Sequence, residues 1–336
     1  MELMKVLSEL CGARGVSGNE TQACKKAEEY LREYAKVSAD AFGNVYGVVG
    51  ETDENKQTLM LEAHIDEIGY IVTYITDDGF LKISGCGGID ERALAAQQVT
   101  VLGKKEIQGV ITSVPPHLSS GESGFTVDDV YVDIGMTGEQ AREIVSLGDR
   151  VLVENSLELM QGHCVTSKAL DDRSGVAAIL LALDKLKGRQ TKYNICVLFA
   201  SQEETGERGA KTGAYKLEPD IAVAVDVSFA KTHFESEEKC GIMGGGVMIG
   251  IAPSLSRELS QEFINTAKNS GIAWQTEVMN GKTGTDADNI GISKGGVKTV
   301  TLSIPLKYMH TPTEVIDLRD VEATASLIAE FAMAGE

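Results

Sequence analysis

The sequence predicts an α/β protein: a mostly parallel central sheet flanked by helices, with a small β-barrel inserted into it. From about residue 167 onward, helical segments alternate with short apolar runs, the pattern of strands covered by helices on both faces. Between Gly69 and about Gly162 that alternation gives way to short β-rich pieces separated by Gly and Asp turns. The chain of 336 residues also exceeds what one hydrophobic core usually fills, so a large unit with a smaller one is expected.

The elements follow in order. MELMKVLSELCGARG is an amphipathic helix broken by Lys5 and Glu9, without the long apolar core of a signal peptide. Ser17-Gly18-Asn19-Glu20 has the S-x-x-E form of a capping box and starts a second helix through roughly Ala35. VSADAFGNVYGVVG supplies two extended segments around a Gly-Asn turn, and TLMLEAHI is a strand buried on both faces. YIVTYI, GFLKIS, QQVTVLG, IQGVITSV, VYVDIG and DRVLVEN are the barrel pieces, with one short helix from Gly138 to Ser146. Pro115 to Gly124 has the composition of a mobile exposed loop. Helices are then expected over 171–187, 209–216, 254–270, 286–294 and 317–334, and strands over 193–200, 220–227, 274–279 and 297–304. Residues 1–67 and 165–336 therefore form one discontinuous unit, with 68–164 inserted into it.

Composition narrows the function. Acidic residues outnumber basic ones by 50 to 31, a formal charge of -19 that repels nucleic acid and anionic lipid headgroups. No uncharged apolar run approaches the ~18–20 residues that span a bilayer. The six cysteines form no CxxC pair, which points to free thiols and a cytoplasmic setting.

Chemistry concentrates where apolar runs end. TLMLEA leads into His64-Ile65-Asp66, NICVLFAS into Gln202-Glu203-Glu204, IAVA into Asp226, and VTLSIP into Lys307-Tyr308-Met309-His310. In open α/β sheets, ligands collect outside the carboxyl ends of the strands. Two of only five histidines lie there beside Asp171, Glu204 and Asp226, the imidazole and carboxylate donors that zinc prefers. Asp66, two residues from His64 on the same strand face, is placed to accept the second ring N–H and fix the imidazole tautomer. Glu203 and Glu204, being neighbours, cannot share a side of a strand, so one can bind metal while the other faces water. Asp171 opens a helix, where either it or Asp172 could be a cap.

The strings AHIDEIG, SKALDDRSG, QEETGERGAKT, AVDVS, GTDAD and YMHTPTEVIDLRD stand in this order along nearly the whole chain. In this they resemble the tetrahedral-aminopeptidase family of dinuclear metallopeptidases, whose catalytic domain has a phosphorylase/hydrolase-like zinc-peptidase fold. The resemblance implies two divalent ions per chain, zinc first and cobalt second, with His64 and His310 as terminal ligands, Asp171 bridging, and Glu204 and Asp226 completing the sites. It makes Glu203 the general base acting on a metal-bridging water and Asp66 the support of His64. Gly284, Thr285 and Asp286 of GTDAD are candidate substrate contacts. Short peptides shortened from the N-terminus are the implied substrates, and the implied assembly is a homo-oligomer, from dimer to dodecamer, organised by the insertion. Thr205 and Glu207 depart from the usual apolar residues of the family, and Cys86 to Glu91 lack its Trp and Pro.

Two rivals are weighed against this. An endoglucanase-type glycoside hydrolase also uses paired carboxylates. Sugar clefts favour aromatic platforms, however, and this chain has one Trp and 5% aromatic residues. A non-catalytic scaffold would have lost Glu203 or a ligand, and none is missing.

Overall fold

The computed structural model describes residues 1–112, 114, 117–118, 126–233, 236 and 238–333. Helices α1 (Leu3–Gly12) and α2 (Thr21–Leu31) precede the strands β1 (Lys36–Ala39), β2 (Val45–Val49) and β3 (Thr58–His64). The S-x-x-E expectation fails here. Helix α2 starts at Thr21, its flanking Glu20 makes no side-chain cap, and the Ser17 hydroxyl donates to the buried Asp66 carboxylate instead. A capping box of that form does stand at Thr137 and Gln140, opening α3 (Gly138–Ile144).

The barrel is built from β4 (Gly69–Ile75), β5 (Leu81–Cys86), β6 (Gln98–Leu102), β7 (Glu106–Thr112), β8 (Tyr131–Asp133) and β9 (Arg150–Val153), closed in the order β4-β5-β8-β7-β6-β9. Closure removes the exposed edges that six short strands would otherwise present. Alternate residues such as Val99, Val101, Ile111 and Val132 point inward and form a core separate from that of the main sheet. Of the predicted loop 115–124, all but His117 and Leu118 lie outside the described residues.

After β10 (Glu158–Leu159) and β11 (Cys164–Ser167) come α4 (Leu170–Leu186), β12 (Asn194–Ala200), α5 (Arg208–Leu217), β13 (Ile221–Phe229), β14 (Val247–Ile251), α6 (Arg257–Ser270), β15 (Trp274–Val278), α7 (Ala287–Gly291), β16 (Lys298–Lys307), β17 (Glu314–Asp317) and α8 (Leu318–Ala332). The eleven-stranded sheet runs β1-β2-β12-β3-β13-β16-β17-β11-β10, with β14 pairing β16 and β15 pairing β14. Its centre, β12-β3-β13-β16, is parallel, and every pairing outside this centre except β14–β15 is antiparallel. Strands β14, β17, β10 and β11 were not foreseen.

Both faces are covered, as near-continuous apolar strands require. Helices α1, α2, α4, α6 and α8 bury Leu7, Leu31, Ile179, Phe263 and Leu327 on one face, and α5 and α7 bury Ala210, Ala214 and Ile290 on the other. Gly209 lets α5 close on the end of β12, because a Cβ there would meet the Ser201 carbonyl oxygen at 2.2 Å. Among the described residues no helix is long and apolar enough to cross a membrane.

Candidate metal centre

The four central strands are parallel, so their carboxyl ends lie on one edge of the sheet. Register puts Ala200 of β12 opposite His64 of β3, so the turn after β12 rises beside His64. Asp226 lies in β13, opposite Ser303 of β16. His310 follows β16 in the left-handed conformation (φ 60), and its backbone N–H donates to Glu314 Oε1 at 3.1 Å.

Asp171 joins these pieces. His64 Nε2 stands 2.9 Å from Asp171 Oδ1, and His310 Nε2 stands 3.5 Å from Asp171 Oδ2 and 3.5 Å from Glu204 Oε2. Asp226 Oδ1 is 4.0 Å from His64 Nε2. Two trios result, His64–Asp171–Asp226 and Asp171–Glu204–His310, each with one donor atom per residue and all three within 4.8 Å of one another. Asp171 is common to both and offers a different oxygen to each imidazole. The capping alternative is settled at the neighbouring residue: Asp172 Oδ1 accepts from Gly175 N at 3.0 Å, while Asp171 and Asp172 keep non-helical dihedrals.

Asp66 holds more than one ring. Its carboxylate accepts from Glu203 N at 3.0 Å, from Glu204 N at 3.2 Å and from the Ser17 hydroxyl, and stands 3.4 Å from His64 Nδ1. One buried side chain thereby orients His64 and fixes the turn that presents both glutamates. Glu314 does the same on the other side, accepting from Asp171 N at 3.1 Å and His310 N at 3.1 Å. Sequence reasoning missed Glu314. Its signal was an acidic residue four positions beyond His310, immediately before the apolar pair Val315-Ile316.

His64, Asp171, Glu204, Asp226 and His310 line a cavity of about 400 Å³ together with Glu203, Glu207, Gly284 and Thr285. Asp286 does not line it. It is buried beneath, where α7 begins, with its carboxyl turned to Glu62 of β3. The Arg173 guanidinium is also absent from the lining: it is fully buried and donates to the carbonyls of Leu10 at 2.5 Å and Ala13 at 2.9 Å. Among the described residues the barrel reaches the site only through glycine backbone. A Cβ on Gly87 would come within 3.0 Å of Glu204 Oε2, and one on Gly88 within 2.9 Å of His310 Nδ1.

Burial dominates the electrostatics. It lifts Glu204 and Asp226 well above the usual carboxylate range, with the charge of Asp171 adding to both. Glu203 is pushed up to about 8, first by burial and then, against the opposing pull of His64, by Asp286, Asp171 and Asp66. Asp171 goes the other way, because hydrogen bonds from the two imidazoles outweigh its burial. His64 is raised, burial being overcome by hydrogen bonds to Asp171 and Asp66. Crowded buried carboxylates of this kind are costly as anions, and a divalent cation reverses that cost.

The model of the M42 glutamyl aminopeptidase family matches residues 43–327. A lysyl aminopeptidase of Pyrococcus furiosus is 32% identical over 338 residues, covering 97% of this chain and 94% of that protein. A glutamyl aminopeptidase of Lactococcus lactis is 28% identical, covering 90% of each. Among solved structures, the Pyrococcus horikoshii TET1 peptidase, described as assembling into a tetrahedron or a large octahedral shell, superposes with a TM-score of 0.87 at 31% identity, covering 99% of this chain and 100% of that one.

Proposed function

The chain belongs to the M42 glutamyl aminopeptidase family, and from that membership we propose that it removes N-terminal residues from short peptides with two divalent ions, zinc or cobalt, held at this cavity. The observation that carries the reading is Asp171, whose two oxygens face two histidine-containing trios. The donors are imidazole nitrogen and carboxylate oxygen, the set that suits a borderline metal. His64 and Asp226 would hold one ion, Glu204 and His310 the other, and Asp171 both. When bound, such ions acidify water and polarise a scissile carbonyl.

The chain's own residues supply the rest. Glu203 lines the cavity without ligating, and its carboxylate takes a proton from the attacking water and delivers it to the departing amine. Asp66 keeps the protonated nitrogen of His64 directed away from the cavity. The free cysteines suit a reducing cytoplasm.

Protein stripped with chelator and titrated with Zn2+ should bind two ions per chain. It should also gain thermal stability, about 2.7 kcal/mol for each ion when free metal is a hundredfold above that site's Kd. Saturation at one ion per chain, measured by elemental analysis, would sink the dinuclear arrangement.

Homo-oligomeric assembly is proposed to depend on the barrel, which carries its own core and supplies none of the residues of the two candidate metal trios. Replacing residues 68–164 by a short linker should change the oligomeric state in sedimentation while α/β content is retained. An unchanged assembly would remove the barrel from that role.

A further inference from the structure

We propose that Glu277 selects the side chain of the residue being removed, and that it selects a basic one, lysine or arginine; this rests on the aminopeptidase reading above. Glu277 lies on β15, and its carboxylate accepts from the hydroxyls of Ser228 and of Ser303, the latter at 2.7 Å. Both serines belong to the strands that carry the metal cluster. Ser228 is two residues beyond Asp226 on β13, and Ser303 is directly opposite Asp226 on β16. Two residues along a strand span about 6.6 Å and neighbouring strands lie about 4.8 Å apart. The carboxylate is thus a side chain's length from the candidate ions, within reach of a four-carbon stem ending in an ammonium.

The cavity's charge supports the assignment. Among its described lining residues there is no Lys or Arg, and there are six carboxylates: Asp171, Glu203, Glu204, Glu207, Asp226 and Glu277. Two divalent ions would bring four positive charges, matched by Asp171, Glu203, Glu204 and Asp226. Glu207 and Glu277 remain. Glu207 accepts from an amide, Asn289 Nδ2, at 2.7 Å. Glu277 has only the two serine hydroxyls, and burial raises its carboxyl above the ordinary range. A cation entering the cavity would favour its charged form.

The walls fit a long basic side chain. Met279 offers apolar surface for the methylene stem. Thr301 is fully buried on the same face of β16 as Ser303, and its hydroxyl oxygen has no hydrogen-bond partner, leaving an acceptor for an ammonium or guanidinium. Gly250, opposite Glu277 in register, makes room for that hydroxyl, because a Cβ there would overlap Thr301 Oγ1. An acidic substrate side chain would instead meet like charge.

The test uses metal-loaded enzyme and lysyl, arginyl, norleucyl and glutamyl substrates sharing one leaving group, with wild type, E277Q and E277K. Norleucine keeps the lysine stem without its charge. Wild type should favour lysine over norleucine by about tenfold or more in kcat/KM, the scale of one partly buried charge pair. E277Q can keep both serine contacts, accepting from one hydroxyl through its oxygen and donating to the other through its NH2; it should bring the ratio to within about threefold, and E277K should shift the preference toward glutamate. Calorimetry with free L-lysine and L-norleucine should show the same ordering without turnover. A wild-type preference for norleucine or glutamate, or a lysine preference unchanged in E277Q, overturns the role of Glu277 and leaves the aminopeptidase standing. Failure to cleave any unblocked substrate, with no amino acid bound, overturns both.

Discussion

Glu203→Gln should lower kcat by at least 10²–10⁴-fold, the usual worth of general acid–base catalysis, with more expected when one group serves both proton transfers. The amide keeps the size of the side chain, and its backbone N–H still donates to Asp66 at the same place in the turn. What it loses is the capacity to take the proton of water. Metal content and fold should therefore be unchanged, which separates this variant from the loss of a ligand. Stability of the metal-free protein gives a second readout. Burial lifts Glu203 from its ordinary 4.5 to about 8, so between those values the folded chain holds a proton that the unfolded chain has released. Its contribution to stability falls as pH rises through that window. E203Q lacks this loss and should be the more stable metal-free protein near pH 7. A variant that keeps a tenth or more of wild-type kcat would remove Glu203 from the role.

The elements that position this site were legible because they follow local rules. Apolar strands ending in His64, Glu203 and Asp226 show where backbone runs out of core, and a parallel sheet brings such ends to one edge. The change of texture at Gly69 marked the barrel for a similar reason, since short strands with inward alternation differ from strands buried on both faces. What could not be read depends on long-range partners. Ser17 looks like a helix cap locally, yet the buried carboxylate of Asp66 claims its hydroxyl. Strand β17 runs into α8 at Asp317 without a turn, so the segment looked like the start of the helix. Strand β14 follows a run of glycines that suggests a loop, and only its pairing with β15 and β16 makes it a strand. Glu314 belongs to the same class. Nothing within its own segment shows that it accepts from two backbones that carry candidate ligands.

Acetylating the N-terminus of a peptide should reduce its cleavage by about 10⁴-fold or more, because a site built for a polar group rejects analogues lacking that group far more strongly than a hydrophobic pocket rejects a missing methylene. The reasoning starts from the cavity wall. Glu203, Glu204 and Asp226 face one space with no Lys or Arg among its described lining, so a free α-amine placed there has carboxylate acceptors at hand. Charge-assisted hydrogen bonds of this kind are roughly twice as strong as neutral ones. An acetyl group removes the charge and two of the donors, and adds bulk beside the carboxylates. An endopeptidase on the same ions would need room on that side for the preceding residues, and its rate would be indifferent to the blocking group. Mass spectrometry of a digest time course separates the two. Unblocked peptides should shorten one residue at a time from the N-terminus, while their acetylated forms persist. Internal cleavage as the first event, or equal rates on blocked and free peptides, would overturn the assignment even with two ions bound, because bound metals would supply a nucleophile to either kind of peptidase and only the groups around them could choose the end of the chain.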